Sequence, residues 1–173
     1  SQEAPAMQLV SGKEAVQRVR NLINDKQQIH GYSVDLTAKQ IYRLDPTGHV
    51  DFGGSEYAAA ERHALPTHQK HSQDRYQWWT LVHGAYAVEF NEILELGEGE
   101  VALLEPNDRL LRAGAELPSQ YLRGQHSPLS TLLSVTCAQV HIKQNARVAT
   151  LRVFLMGGAP AAKAAAKPAK KKR

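Results

Sequence analysis

The sequence predicts an all-β protein, a distorted barrel or jelly-roll-like sandwich with one N-terminal helix. Three observations predict it. Short apolar segments alternate with period two, Gly, Pro and Asn punctuate most of them, and a helical apolar stripe occurs once. Many short strands at close spacing are the pattern of closed or packed β architectures.

The helix comes first. Residues 1–10 carry no pattern and are expected to fray. Ser11-Gly12-Lys13-Glu14 is a capping box, serine followed three residues later by glutamate. Ala15, Val16, Val19, Leu22 and Ile23 then fall on one helical face, which predicts a helix from Gly12 to Lys26. His30-Gly31 ends that pattern. Tyr32, Val34, Leu36 and Ala38 alternate with Ser33, Asp35 and Thr37, and Asp45-Pro46-Thr47-Gly48 is a turn signal. A short strand is expected at His49 to Phe52, and a long loop or arm over Ser55 to Asp74.

Further strands are expected at Tyr76 to Val82, Gly84 to Asn91, Glu100 to Leu104, Leu129 to Lys143 and Ala146 to Leu155. Tyr86, Val88 and Phe90 share one face of their strand. Gln144-Asn145 reads as a tight hairpin link. Trp78 and Trp79 are adjacent on a strand, so one is expected in the core and the other against a neighbouring subunit. One domain therefore spans 11–157, and the Ala/Lys-rich segment 158–173 cannot bury enough apolar surface to order itself.

Charge divides the chain in two. The net charge of +4 comes from 21 basic and 17 acidic residues, but six of the basic ones lie at 159–173, leaving the remainder near −2. The tail, with Lys163, Lys167, Lys170, Lys171, Lys172 and Arg173, reads either as a solubilising end or as a non-specific nucleic-acid contact through counterion release. The single cysteine, Cys137, makes no internal disulfide and reads as a small buried hydrophobe, which favours a reducing compartment. No apolar run approaches the roughly 20 residues of a membrane span, and no basic-then-apolar leader is present. The expectation is a cytoplasmic protein without a membrane partner.

Several segments together resemble the dUTPase and dCTP deaminase superfamily, above all its archaeal-type dUTPases, from about Ile29 to Leu155. They are Gly31-Tyr32-Ser33-Val34-Asp35-Leu36-Thr37, the strand ending Val88-Glu89-Phe90-Asn91-Glu92, Pro106 to Gly114, and Arg147 to Leu155. The resemblance implies a β-clip fold assembled as a homotrimer with active sites between subunits. It also implies hydrolysis of dUTP to dUMP and diphosphate, with magnesium on the triphosphate. Arg109, Arg112 and Arg123, with Ser119 and Gln125, are the implied phosphate contacts. Asp35 takes a structural place in its motif.

The departures carry as much weight. Asn107, Asp108 and Arg109 stand where the family has an arginine and two serines. A carboxylate 4 Å from a phosphate at an effective dielectric of ~20 costs about 4 kcal/mol. The segment Glu116 to Gly124 is short and lacks the family's aspartate, which leaves Asp108 and Glu116 as replacement catalytic carboxylates or as solvated loop charges. Arg112 and Arg123 fit phosphate, or a structural pair with Glu89, Glu92 or Glu105. Tyr121 fits stacking on a base, or packing. His63, His68 and His71, with Glu61 and Asp74, read as a metal cluster or as a polar loop, and the loop fits better because the spacing matches no strong zinc pattern. Two functions follow: a divergent dUTP hydrolase, or a non-catalytic homotrimer that binds or assembles and carries a nucleic-acid-binding tail. Deamination of dCTP fits less well, because no acid/base for attack on a base is evident.

Overall fold

The computed structural model describes residues 6–45 and 47–157. The expectations for the basic tail at 158–173, for the first five residues and for Pro46 lie outside the described residues.

The elements run in order as β1 (Met7–Leu9), α1 (Gly12–Ala15), β2 (Val19–Arg20), α2 (Asp25–Gln28), β3 (Val34–Leu44), β4 (Arg62–Ala64) and β5 (Trp78–Phe90). They continue as β6 (Ile93–Glu95), β7 (Glu100–Pro106), α3 (Asp108–Ala113), β8 (Ala115–Glu116), β9 (Gln120–Leu122), β10 (Gln125–His126), β11 (Ser130–Lys143) and β12 (Arg147–Met156). The all-β expectation holds. Nine strands form one antiparallel sheet in the order β8-β11-β5-β3-β12-β7-β9, with β1 also on β12 and β4 also on β3. β10, β6 and β2 form a second, small sheet.

β3 makes the sheet turn. Its first half pairs with β12, and from Ala38 onward it pairs with β5. Trp79, Leu81, Phe90, Leu36, Ile41, Leu104, Leu133 and Leu151 lie almost wholly inside, so both ends of β3 close on one core. The alternation of Tyr86, Val88 and Phe90 points all three inward.

Five expectations need correction. The helix from Gly12 to Lys26 breaks after one turn. Ser11 does cap it, its hydroxyl accepting from the Glu14 amide at 3.2 Å. Val16–Arg18 then tightens into a 3-10 turn, and Val19–Arg20 extends to pair with Leu94 and Ile93. Valine at 16 and 19 favours extended backbone, and Asn21 at φ 70 ends any helical path. Ala15 and Val19 still reach the core, by a different route than a helical stripe.

The second correction concerns the frayed start. Met7–Leu9 is a strand on β12, held in register from Met7↔Met156 to Leu9↔Phe154. Third, the two strands expected at 76–82 and 84–91 are one, β5. Next to Gly84, β11 bulges, its register slipping between Val135 and Gln139, so two extra residues sit in β11 and β5 runs through. Fourth, Cys137 lies in that bulge and is half-buried rather than in the core. Fifth, the Gln144-Asn145 link is a tight turn, with Asn145 at φ 65, but not the expected hairpin: β11 pairs with β5 and β8, whereas β12 pairs with β3, β7 and β1, so the turn carries the chain from one part of the sheet to another.

Candidate functional site

The site grows from the end of β7. Asn107 stops the strand and caps α3, its side-chain oxygen accepting from the Arg109 amide at 3.0 Å. Gly114 closes the helix at φ 100, and a Cβ there would lie 2.6 Å from the Cys137 sulfur. Leu110 anchors the helix in the core. Residues 108 and 112 are one turn apart, so they share a face. Asp108 and Arg112 pair at 2.8 Å on that face, their side chains 74% and 80% exposed.

Beneath α3 lies a polar hub at Asp35, a residue only 4% exposed. Its carboxylate accepts from Arg147 at 3.2 Å and from Asn107 at 3.3 Å, and meets His30 Nε2 at 2.8 Å. Arg147 also donates to the Gln27 carbonyl at 2.9 Å. One buried carboxylate thus ties the cap of α3 to the start of β12 and to the short helix α2. Nearby Glu92 is fully buried without a cation. It accepts from Gln28 at 2.7 Å and from the Thr37 hydroxyl at 2.6 Å and amide at 2.9 Å. Burial pushes its pKa up, partly offset by those hydrogen bonds.

Two clefts flank α3. One, of about 350 Å³, opens between α3 and the turn that joins β11 to β12. Trp78, Leu110, Val140, Ile142 and Val148 give it apolar walls, while Arg109, Lys143 and Arg147 bring three cations to it. Among the described residues no Asp or Glu lines it. Lys143 and Lys70 also lie 5.3 and 4.6 Å from the Trp78 ring, and the buried indole N–H of Trp78 has no hydrogen-bond partner. The other cleft holds Glu105, Asp108, Thr150 and Arg152, with Arg152 on Glu105 at 3.0 Å. Arg109 and Asp108, neighbours in sequence, therefore face different clefts.

The residues expected at phosphate do not gather within one chain. Arg109 lines the cationic cleft, whereas Arg112 is engaged by Asp108. Arg123 follows β9, whose Leu122 pairs with Ala102 of β7. Five residues of strand separate Ala102 from the α3 cap, roughly 16 Å. Ser119 is exposed just before β9, Gln125 is exposed on β10 opposite Glu95, and Glu116 is exposed on β8 opposite Ser134. The expected structural partners also differ. Glu89 meets Lys39 at 3.5 Å, Glu105 meets Arg152, and Glu92 meets Gln28 and Thr37, so none serves Arg112 or Arg123. Tyr121 is 65% exposed, which is not core packing.

The histidines separate as well. His63 meets Asp45, His68 meets Thr80, and the His71 amide meets Asp74. Sequence reasoning overlooked Lys143, Arg147 and Trp78 as cleft residues. The sign that could have found them is the Gln144-Asn145 turn, which sets Lys143 and Arg147 at its two ends, beside the same cleft. No helix of the described residues is long and apolar enough to cross a membrane.

No protein-family model matches the chain. It is 28% identical over 142 residues to a probable deoxyuridine 5'-triphosphate nucleotidohydrolase of Methanosarcina acetivorans, covering 80% of this chain and 78% of that protein. The like-named protein of Methanosarcina mazei is 29% identical over the same share. That of Archaeoglobus fulgidus is 30% identical over 99 residues, 57% of this chain and 54% of the relative. Among solved structures, the 2'-deoxycytidine 5'-triphosphate deaminase of Agrobacterium tumefaciens shares the fold at a TM-score of 0.63 and 14% identity, over 86% of this chain. The chain spans about half that structure's length, 48%. Through most of its length the chain is thus similar in sequence to proteins named as probable dUTPases, and it shares its all-β fold with a dCTP deaminase.

Proposed function

We propose that the chain is a dUTPase-like protein that holds the phosphates of a deoxynucleoside triphosphate, dUTP first among them, in the cleft between α3 and the β11–β12 turn. The observation that carries this is charge: three cations line apolar walls with no carboxylate among the lining residues. Arg147 is held from behind by Asp35 and Lys143 lies 4.0 Å from Asp74, so Arg109, which has no ion-pair partner among the described residues, is the cation most open to a phosphate. A triphosphate is strongly anionic, and charge-assisted hydrogen bonds contribute about 1.5–3 kcal/mol each. The names of the relatives supply the choice of dUTP.

Hydrolysis to dUMP and diphosphate asks for more. A water-activating carboxylate must come within hydrogen-bond reach of the attacking water. Asp108 faces the other cleft and is paired with Arg112, and Glu116 lies on β8. In this reading the carboxylate reaches the cleft from a neighbouring copy, which is what a homotrimer with shared sites provides. Magnesium finds no ready ligand set beside α3, because Glu105 and Asp108 are each engaged by an arginine.

The Asp108–Arg112 pair favours a second reading, binding without turnover. One experiment covers both. Equilibrium binding and diphosphate release are measured with dUTP, dCTP and UTP. Arg109→Ala is expected to weaken dUTP binding about tenfold, one lost charge-assisted contact. Release of diphosphate that is lost in Asp108→Asn or Glu116→Gln assigns the hydrolase. Saturable binding without release assigns the binding module, and the absence of both removes the proposal. For the tail, the reading gives non-specific DNA retention that falls with salt and disappears on deleting residues 159–173.

A further inference from the structure

A group away from α3 has its own chemistry. β3 and β4 pair antiparallel, with Arg43 opposite His63 and Leu44 opposite Arg62. The ladder continues one step further, the Asp45 amide donating to the Glu61 carbonyl at 2.9 Å. Side chains alternate along a strand, so Asp45, Glu61, His63 and Arg43 share one face of this two-stranded ribbon. Asp45 and Glu61 are also the two stems of the arm that runs from Thr47 to Ala60. The arm is closed by a His49–Ala58 bridge and carries Val50 and Phe52 fully into solvent.

One ligand atom from each of Asp45, Glu61 and His63 lies within 4.8 Å of the others. Like charges directly opposite on a ladder repel. Several strand glutamates have a cation: Glu89 has Lys39, Glu95 has Arg20, Glu100 has Arg18 and Glu105 has Arg152, whereas Glu116 on β8, opposite Ser134, has none among the described residues. Glu61 likewise has no ion-pair partner among the described residues, and unlike Glu116 it faces another carboxylate, Asp45. Arg43 covers one edge alone, 3.5 Å from Asp45 Oδ1. The other oxygen, Oδ2, faces His63 Nε2 at 3.0 Å. Two facing carboxylates beside an imidazole suit a small cation with affinity for both nitrogen and oxygen donors.

We propose that Asp45, Glu61 and His63 form a site for a divalent transition-metal cation of the zinc, cobalt or manganese class, seated across the neck of the arm. The donor set fits. Imidazole suits zinc and its neighbours, carboxylate suits the harder end of the series, and water completes the coordination. The ribbon holds the donors on paired strands, so little ordering is needed to bind. The ion would sit between the two acids, and because its ligands bind in their deprotonated forms, affinity weakens in acid. Closing the neck also fixes where the arm points Val50 and Phe52.

The test uses the full chain after chelator treatment and dialysis, titrated with Co²⁺ by visible absorption and with Zn²⁺ by calorimetry. One ion per chain is expected, weakened at least tenfold by His63→Ala and by Glu61→Gln. The double variant His68→Ala/His71→Ala is expected to bind as the parent does. These side chains are exposed, and thermal melts confirm that each variant is folded. No saturable binding up to about 1 mM overturns the proposal. So does equal affinity in His63→Ala and the parent, or loss confined to the His68/His71 variant.

Discussion

Asp35→Ala tests the hub beneath α3. Its carboxylate is 4% exposed and meets Arg147, Asn107 and His30. Truncation leaves the Arg147 guanidinium without its anion and releases the Asn107 side chain, which caps α3. Losing one partner of a buried pair costs about 3–5 kcal/mol. The Arg147 side chain is 23% exposed, so water partly replaces the loss, and about 3 kcal/mol is the expected destabilisation. For a domain of this size that lowers Tm by about 6–12 °C. Denaturant unfolding at fixed protein concentration measures it, in a double-mutant cycle with Arg147→Ala. The coupling energy is expected to exceed about 1 kcal/mol. Additive single losses, within about 0.3–0.5 kcal/mol, would show that Asp35 and Arg147 merely lie near each other and that the hub does not hold the cleft.

Two further predictions concern the same region. Gly114→Ala forces an alanine to φ 100 and sets its Cβ 2.6 Å from the Cys137 sulfur, so a loss of about 2 kcal/mol or more is expected in denaturant melts. Wild-type stability there would mean that α3 ends differently. Glu92 is buried and its pKa is raised above the usual 4.5. The neutral form is favoured in the fold, so its contribution is present in acid and lost as pH rises from 4.5 through the raised folded value. Glu92→Gln is expected to flatten the stability-versus-pH curve over that window. An unchanged slope would place the titration elsewhere.

Much of the sheet was legible because apolar residues recur at every second position. Tyr86 to Phe90 and the closing strand show it, and Val34 to Ala38 alternates in residue type although both of its faces are buried, with Asp35 and Thr37 finding hydrogen-bond partners inside. The N-terminal segment misled for a physical reason. Ala15, Val16, Val19 and Leu22 have helical spacing, but that spacing cannot reveal β6 waiting to pair with Val19 and Arg20. The short segments β9 and β10 have no periodicity to read.

The site was less legible than the fold. The Asn107-Asp108-Arg109 departure was visible, yet a six-residue helix was needed to see that Asp108 and Arg109 face different clefts. Ion pairs followed proximity that sequence does not encode, so Arg112 took Asp108 and Arg152 took Glu105. Lys143 and Arg147 became cleft residues through a turn that the sequence does signal, but which joins strands paired to β5 and β3 rather than to each other.

The most direct measurement is a crystal structure of the full chain with a non-hydrolysable dUTP analogue. The account predicts phosphate oxygens about 2.7–3.2 Å from Arg109 or Lys143, in the cleft walled by Trp78 and Val148. An analogue whose phosphates lie away from α3, with Arg109 and Lys143 still facing solvent, would contradict it.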